Sequence, residues 1–222
     1  EEDEEDENSH LSVGFGGGGP LMFTPQFDFT GINSYIGQFG FDPLEPISGT
    51  HIGGFGMGTI GGGWFIGGMG GGFMTSKSIY VDSLQANRTF KLESGLGGVT
   101  LSKKYPLFTE KLILDFTTMI GGGETTLSIS QNKGGFSWDD AEISNGNNWY
   151  AKYRKSFVAL YPKVGVLLRI KNWIGIYGSA GQLFALSTQD GWIEDSFETT
   201  VSGDSPEVPN GLTYSVGIWF GY

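Results

Sequence analysis

The sequence contains no cysteine and only two histidines, His10 and His51. The first absence excludes disulfides, thiolate catalysis and cysteine-based zinc or iron–sulfur sites within the chain. Neither histidine has the spacing of a helical metal motif or stands in a Ser-His-Asp order. We therefore expect a protein that is not an enzyme and that carries no cofactor, with calcium as the one exception considered below.

Positive charge is scarce, with 13 Lys plus Arg against 24 Asp plus Glu and a formal net charge of -11. A nucleic-acid partner is excluded, because its phosphates need Lys and Arg to replace condensed counterions. The first seven residues are almost wholly acidic, and like charges keep such a run extended. We expect an acidic tail over residues 1–9, followed by a single domain over residues 10–222.

Long apolar runs are also missing. A transmembrane helix needs roughly 18 or more consecutive apolar residues, whereas a spanning β-strand needs only about 9 to 11. Membrane insertion through strands therefore stays open. The sequence starts at Glu1 without a basic region followed by an apolar one, so we expect an exported protein whose signal peptide has been removed.

What the sequence does contain is glycine and aromatic residues, with 39 Gly, 17 Phe, 9 Tyr and 6 Trp. Such a composition favours strands and turns. Short turns alternate with long polar stretches at 131–148 and 188–210, which is typical of a barrel. We predict an all-β fold, an antiparallel up-and-down β-barrel of about 8 to 10 strands, with one short helix after the first strand.

The helix and strands are placed by hydrophobic spacing. Ile32, Tyr35, Ile36 and Phe39 have helical spacing between Thr30 and Gly40, which predicts the helix, with Thr30 as its N-cap. A first strand at 11–15 is expected to end at the glycine run that follows it. The remaining predicted strands are a hairpin of 51–57 and 64–74 and the segments 89–102, 111–121, 125–130, 149–160, 164–171, 173–187 and 212–222.

Apolar residues alternate with small or polar ones in the later strands, so each strand has one apolar face. Asp115, Arg169 and Lys171 occupy the opposite faces, which predicts a polar interior in which Arg154, Lys155, Arg169 and Lys171 pair with Asp115 or Glu110. We expect the apolar faces to point outward, with the following residues on them: Val164, Val166, Leu168, Tyr214, Val216, Ile218, Phe220 and Tyr222.

The segment YSVGIWFGY at 214–222 resembles the C-terminal strand of bacterial outer-membrane β-barrels, and Phe220 and Tyr222 carry the resemblance. The segments FGGGGP, GGFGMG, GGMGGG and WIGIYGSAG are similar to uncharacterised Gly-rich bacterial envelope proteins. These resemblances imply a structural protein of the outer membrane or cell envelope, with outer-membrane lipid as its partner and no catalytic activity.

Glycines occupy both faces of the predicted 51–74 hairpin, where a lipid-facing strand normally carries bulky residues. Glycine-rich surfaces let backbones approach closely and strand edges pair. The alternative is therefore an exported, self-assembling subunit of an extracellular filament or sheath. Its N-terminal segment or strand edges would dock into neighbouring copies, which makes it a homo-oligomer.

Two acidic clusters fall in the long polar stretches, where oxygen ligands suit calcium. No EF-hand spacing is present, so solvated loops and calcium binding both remain open. The candidate ligands are Asp139, Asp140, Glu142, Asp190, Glu194 and Asp195.

Overall fold

The computed structural model of the chain describes residues 14–25, 28–45, 49–107, 109–134, 148–201, 206, 208, 210 and 211–221. These residues form one helix and ten strands. The elements are β1 (Gly16–Pro25), α1 (Thr30–Gly37), β2 (His51–Gly61), β3 (Trp64–Val81), β4 (Ala86–Leu107), β5 (Thr109–Asn132), β6 (Trp149–Lys171), β7 (Ile174–Ser187), β8 (Ile193–Glu194), β9 (Thr199–Thr200) and β10 (Gly211–Gly221).

Eight long strands close into a ring. Each pairs antiparallel with its neighbours in the order β1-β2-β3-β4-β5-β6-β7-β10, and β10 pairs back onto β1. The two-residue strands β8 and β9 form a small hairpin that pairs with β6. The prediction of an antiparallel up-and-down β-barrel with one short helix is confirmed.

The two ends of the barrel differ. At one end, called the turn end, short turns at 62–63 and 172–173 join consecutive strands, and β5 begins two residues after β4 ends. Gly61, Gly62 and Gly63 have φ values of +100°, +57° and +73°, a backbone that L residues with a side chain rarely adopt. At the other end, called the loop end, the connections include the long segments 26–50, 133–148 and 188–210.

The helix α1 lies at the loop end, where β3, β4, β5 and β6 extend beyond the shorter strands. Its predicted position is confirmed, although Thr30 is its first residue and Phe29 is the N-cap. The Thr30 N–H donates to Asp28 Oδ1 at 2.8 Å. Gly40 has a φ of +88°, which fits its expected role as a stop after the helix.

Several strand boundaries differ from the sequence prediction. The glycine run at 16–19 lies inside β1 instead of ending a strand, and residues 11–13 fall outside the described residues. The segments 111–121 and 125–130 form one strand, β5, and the segments 149–160 and 164–171 form another, β6. Local propensity treats Gly121–Gly123 and Pro162 as breaks. The strands continue there because Gly121–Gly123 pair with both β4 and β6 and Pro162 pairs with Thr118 of β5.

The barrel interior is mostly apolar, so the prediction of a polar interior is wrong for most of its length. Inward residues come from every strand of the ring and fill the middle of the barrel, as expected for eight strands. The largest of them are Phe23, Phe55, Phe65, Met119, Phe157, Tyr161, Tyr177 and Trp219. No helix among the described residues is long and apolar enough to cross a bilayer.

Candidate functional site

The outer surface of the barrel carries a broad apolar belt. Strict alternation points every second side chain away from the core, and in β5, β6, β7 and β10 these side chains are large and exposed. We define the apolar belt by the outward residues Met22, Ile52, Ile60, Trp64, Ile66, Val99, Leu101, Leu112, Leu114, Phe116, Ile120, Val158, Leu160, Val164, Val166, Leu168, Ile170, Ile174, Ile176, Phe184, Leu186, Leu212, Tyr214, Val216, Ile218 and Phe220.

The structure places seven of the eight residues expected on the outward apolar face within this belt. Tyr214 and Val216 are each 54% exposed, and Val166 is 41% exposed. Tyr222 lies outside the described residues. Soluble monomers rarely expose contiguous apolar surface of this extent, so the belt needs an apolar environment.

The belt ends sharply toward the loop end. Beyond it the outward positions become polar on four neighbouring strands, and these positions are Ser76, Ser78, Lys91, Glu93, Glu124, Thr126, Ser128, Lys152, Arg154 and Ser156. At the rise and tilt typical of such barrels, the belt segment of β6 from Val158 to Ile170 spans about 30 Å. That height matches the hydrocarbon core of a bilayer.

Aromatic side chains mark the turn end of the belt. The rings of Trp173 and Phe220 stack with centroids 6.4 Å apart. Lys103 Nζ lies 5.2 Å from the centroid of Trp64 and 5.5 Å from that of Tyr105. Tyrosine and tryptophan favour the level where hydrocarbon meets water. The arrangement is that of an interfacial ring of aromatic residues.

Between β2 and β5 the belt is interrupted by outward glycines. Cross-strand pairing aligns Gly54, Gly70, Gly97 and Gly122 in one row. An added Cβ at Gly58 would meet no atom within 4 Å, so the outward positions do not all require glycine for space. At the inward Gly67, an added Cβ would overlap the carbonyl oxygen of Gly56. The backbones of β2 and β3 therefore leave no room for a side chain at this inward position.

One buried ion pair lies inside the barrel toward the turn end. Lys104 Nζ is 3.1 Å from Asp115 Oδ2, and both side chains are at most 1% exposed. Ser102 donates to Asp115 Oδ1, and so does Thr117 Oγ1 at 2.8 Å. Lys104 Nζ also lies over the ring of Trp219, 5.1 Å from its centroid. The opposite charges of Lys104 and Asp115, together with these hydrogen bonds, therefore offset the cost of burying each charge in a low-dielectric core.

A second buried lysine interacts with the same carboxylate without forming an ion pair with it. Lys163 is buried, interacts electrostatically with Asp115 and lies over the rings of Tyr161 and Tyr177, at 5.7 and 5.1 Å from their centroids. Sequence reasoning placed Asp115 inside the barrel but named neither lysine as its partner. Arg154, which was expected to face Asp115, lies on the outer side of β6 instead and pairs with Asp195 at 3.3 Å.

The loop end is closed by a second apolar cluster under α1. Ile32 and Ile36 of the helix pack there with Phe90, Leu127 and Trp192. Burial raises the pKa of Tyr35, whose hydroxyl donates to that of Tyr153 at 3.3 Å. This end of the barrel is therefore covered by packed side chains.

His51 lies beside this cluster as a packed, buried side chain. Its ring stacks on Phe23 with centroids 4.8 Å apart and meets Phe73 edge-on at 5.0 Å. Its Nδ1 is 2.9 Å from the carbonyl oxygen of Gly49. These contacts give His51 a structural role between aromatic rings.

The calcium candidates are only partly described. Asp139, Asp140 and Glu142 lie outside the described residues. Asp195 pairs with Lys152 Nζ at 3.0 Å, and Glu194 Oε2 accepts the Phe197 N–H at 2.8 Å. Within the described part of the chain, no three His, Asp or Glu side chains come together as a metal site.

Comparison with known proteins gives structural neighbours alone. No family model and no curated protein matches the chain. The neighbours are outer-membrane β-barrel proteins. Acinetobacter baumannii CarO2 aligns with 12% identity and a TM-score of 0.40, over 93% of this chain and 98% of that one. Ail, the attachment invasion locus protein of Yersinia pestis, in complex with the heparin analogue sucrose octasulfate, aligns with 12% identity and a TM-score of 0.43, over 93% and 96%.

Proposed function

We propose that this chain is an integral β-barrel protein of an outer membrane, with a structural, non-catalytic role in the cell envelope. The apolar belt carries the proposal. Side chains such as Val216 and Leu168 are exposed around the ring over a height that matches a bilayer, whereas the positions beyond them are polar. Burying this surface in lipid removes from water what would otherwise be a large exposed apolar patch.

The difference between the two ends gives the orientation. Outer-membrane barrels have short turns on the periplasmic side and longer loops outside. The turn end, with its aromatic ring at Trp64, Tyr105 and Trp173, would then face the periplasm. The loop end, with α1 and the β8–β9 hairpin, would face outward and is the surface available for contacts with other molecules.

The filament alternative has weaker support. Docking through strand edges needs a long strand with one unpaired side. Among the described residues, each of the eight long strands has a partner on both sides within the ring, and the part of β3 beyond Gly72 pairs with β4 alone. Barrel closure removes the long edges within the ring. Its other route, docking through the N-terminal segment, concerns residues that the structure does not describe.

A charge placed in the belt tests the proposal. Val216→Arg puts a cation on the outer face near mid-belt, and we expect it to lower the free energy of unfolding in lipid vesicles by about 2–4 kcal/mol. Thr126→Arg, on the outer face of β5 beyond the belt and opposite one acidic and one basic residue, Glu93 and Arg154, is the matched control and should change it by less than about 0.5 kcal/mol. Urea titration followed by tryptophan fluorescence measures both.

The opposite result would contradict insertion of the belt into a membrane. If the wild-type chain is monodisperse without detergent or lipid, and Val216→Arg is as stable as Thr126→Arg, then the belt does not face hydrocarbon. Large regular assemblies under detergent-free conditions would favour the filament subunit instead.

A further inference from the structure

A groove of about 500 Å³ crosses the outer surface within the apolar belt. Its walls include Trp64, Leu101, Phe116, Val164 and Ala180, from five different strands, together with Lys103. The volume lies in the range typical of small-ligand sites. Unlike the glycine row, the groove combines apolar walls with a charged group.

The groove runs from the turn end of the belt toward its middle. Cross-strand pairing puts Trp64, Lys103, Phe116, Val164 and Ala180 in one continuous row across β3 to β7. Trp64 begins β3 beside a turn, whereas Ala180 lies in the middle of β7. The strands of a closed barrel are staggered, so the row rises from the edge of the belt into its interior.

Lys103 lies at the turn end of this row, level with the aromatic residues Trp64 and Tyr105. Its Nζ donates to the carbonyl oxygen of Gly62 and lies over the rings of Trp64 and Tyr105. An ammonium group has three donors, so two remain for an incoming acceptor. Among the described residues, no carboxylate forms an ion pair with Lys103.

We propose that this groove binds one anionic phospholipid of the leaflet at the turn end. The headgroup phosphate pairs with Lys103, and one acyl chain lies along Leu101, Phe116 and Val164 toward Ala180. A cation at the interface beside an apolar groove that climbs toward mid-membrane matches both parts of such a lipid. This inference rests on the proposed function, since only a membrane-inserted barrel meets lipid there.

Native mass spectrometry of the folded full-length chain in neutral detergent tests the site. Phosphatidylglycerol and phosphatidylcholine with identical acyl chains are titrated separately. We expect one retained phosphatidylglycerol per barrel, bound about fivefold more tightly than phosphatidylcholine, and we expect Lys103→Gln to remove that preference. Lys91→Gln is the matched control, because Lys91 also lies on the outer side of β4 but beyond the belt, 2.7 Å from Glu93.

A second variant addresses the acyl chain. Ala180→Trp fills the mid-belt end of the groove without changing the charge of the groove. It should weaken the binding of both lipids to a similar extent. Far-ultraviolet circular dichroism confirms that each variant is folded before titration. Equal binding of the two lipids by the wild type, or no effect of Lys103→Gln, overturns the inference. Displacement of the lipid by inorganic phosphate at equal concentration would mean a simple phosphate site and would overturn it as well.

The Val216→Arg experiment distinguishes a failure of the lipid site from a failure of the proposed function. A chain that inserts into vesicles and is destabilised by Val216→Arg, yet shows no preference for phosphatidylglycerol, lacks the lipid site but remains a membrane barrel. A chain that does not insert removes the basis for both.

Discussion

At the scale of single residues, Asp115 is a fully buried carboxylate with several polar partners. It compensates Lys104 directly, interacts with Lys163 and accepts hydrogen bonds from Ser102 and Thr117. Removing its charge leaves two buried lysines without a carboxylate, so we expect Asp115→Asn to lower the free energy of unfolding in lipid vesicles by about 3–5 kcal/mol. Urea unfolding measures the loss.

The same cluster supplies the control for that prediction. In Lys104→Met the carboxylate keeps Ser102, Thr117 and Lys163, so this variant should lose clearly less stability than Asp115→Asn. The double variant should lose less than the sum of the two single losses, because the direct pair is removed as a unit. Equal losses for the two single variants would show that Asp115 serves Lys104 alone.

Alternation along the chain was enough to place Asp115 inside and Val166 outside, because side chains of a strand alternate strictly. The partner Lys104 was not predictable in the same way. The predicted strand stopped at Ser102, before Pro106, whereas β4 continues to Leu107. Only the register of the β4–β5 hairpin puts Lys104 opposite Asp115, and register depends on turn geometry that composition does not reveal.

At the scale of elements, two glycines of the β2–β3 hairpin have opposite surroundings. A Cβ at the inward Gly67 would overlap the Gly56 carbonyl oxygen, whereas one at the outward Gly58 would meet nothing within 4 Å. We expect Gly67→Ala to cost about 1–3 kcal/mol of unfolding free energy through backbone strain. Gly58→Ala should be neutral or stabilising by up to about 1 kcal/mol, because it restricts the unfolded chain.

Refolding of both variants into vesicles, followed by urea titration, compares them directly. Destabilisation of both by the same amount would mean that the outward glycines are also needed, for example to let a neighbouring molecule approach. That outcome would give the glycine row a role beyond strand packing.

The helix and the strand breaks show which elements were predictable from the sequence. Three apolar residues of α1, Ile32, Tyr35 and Ile36, have helical spacing, and Gly40 follows the helix, so the local signals agree with the packing. The segments around Gly121–Gly123 and Pro162 have local signals for a break, yet they continue as strands. The glycines pair with strands on both sides, and Pro162 pairs with β5. Nonlocal pairing of this kind decided the merging of predicted segments into β5 and β6.

At the scale of the whole molecule, two apolar layers fill the barrel along its axis. The middle layer includes Phe55, Tyr161 and Trp219, and the loop-end layer lies under α1. Between them they occupy the space through which a solute would pass. A barrel of eight strands has an interior just wide enough for its own side chains, so a structural role is favoured over transport through the lumen.

This architecture predicts the absence of a pore. In planar lipid bilayers we expect no steady conductance steps from the wild-type chain. Ile36→Asp introduces a charge into the loop-end layer and should loosen α1, which faster amide hydrogen exchange over residues 30–37 would show. Conductance should remain absent in this variant because the middle layer still fills the barrel. Steps that appear only in Ile36→Asp would mean that the loop-end layer alone seals the lumen, and steps in the wild type would contradict a filled interior altogether.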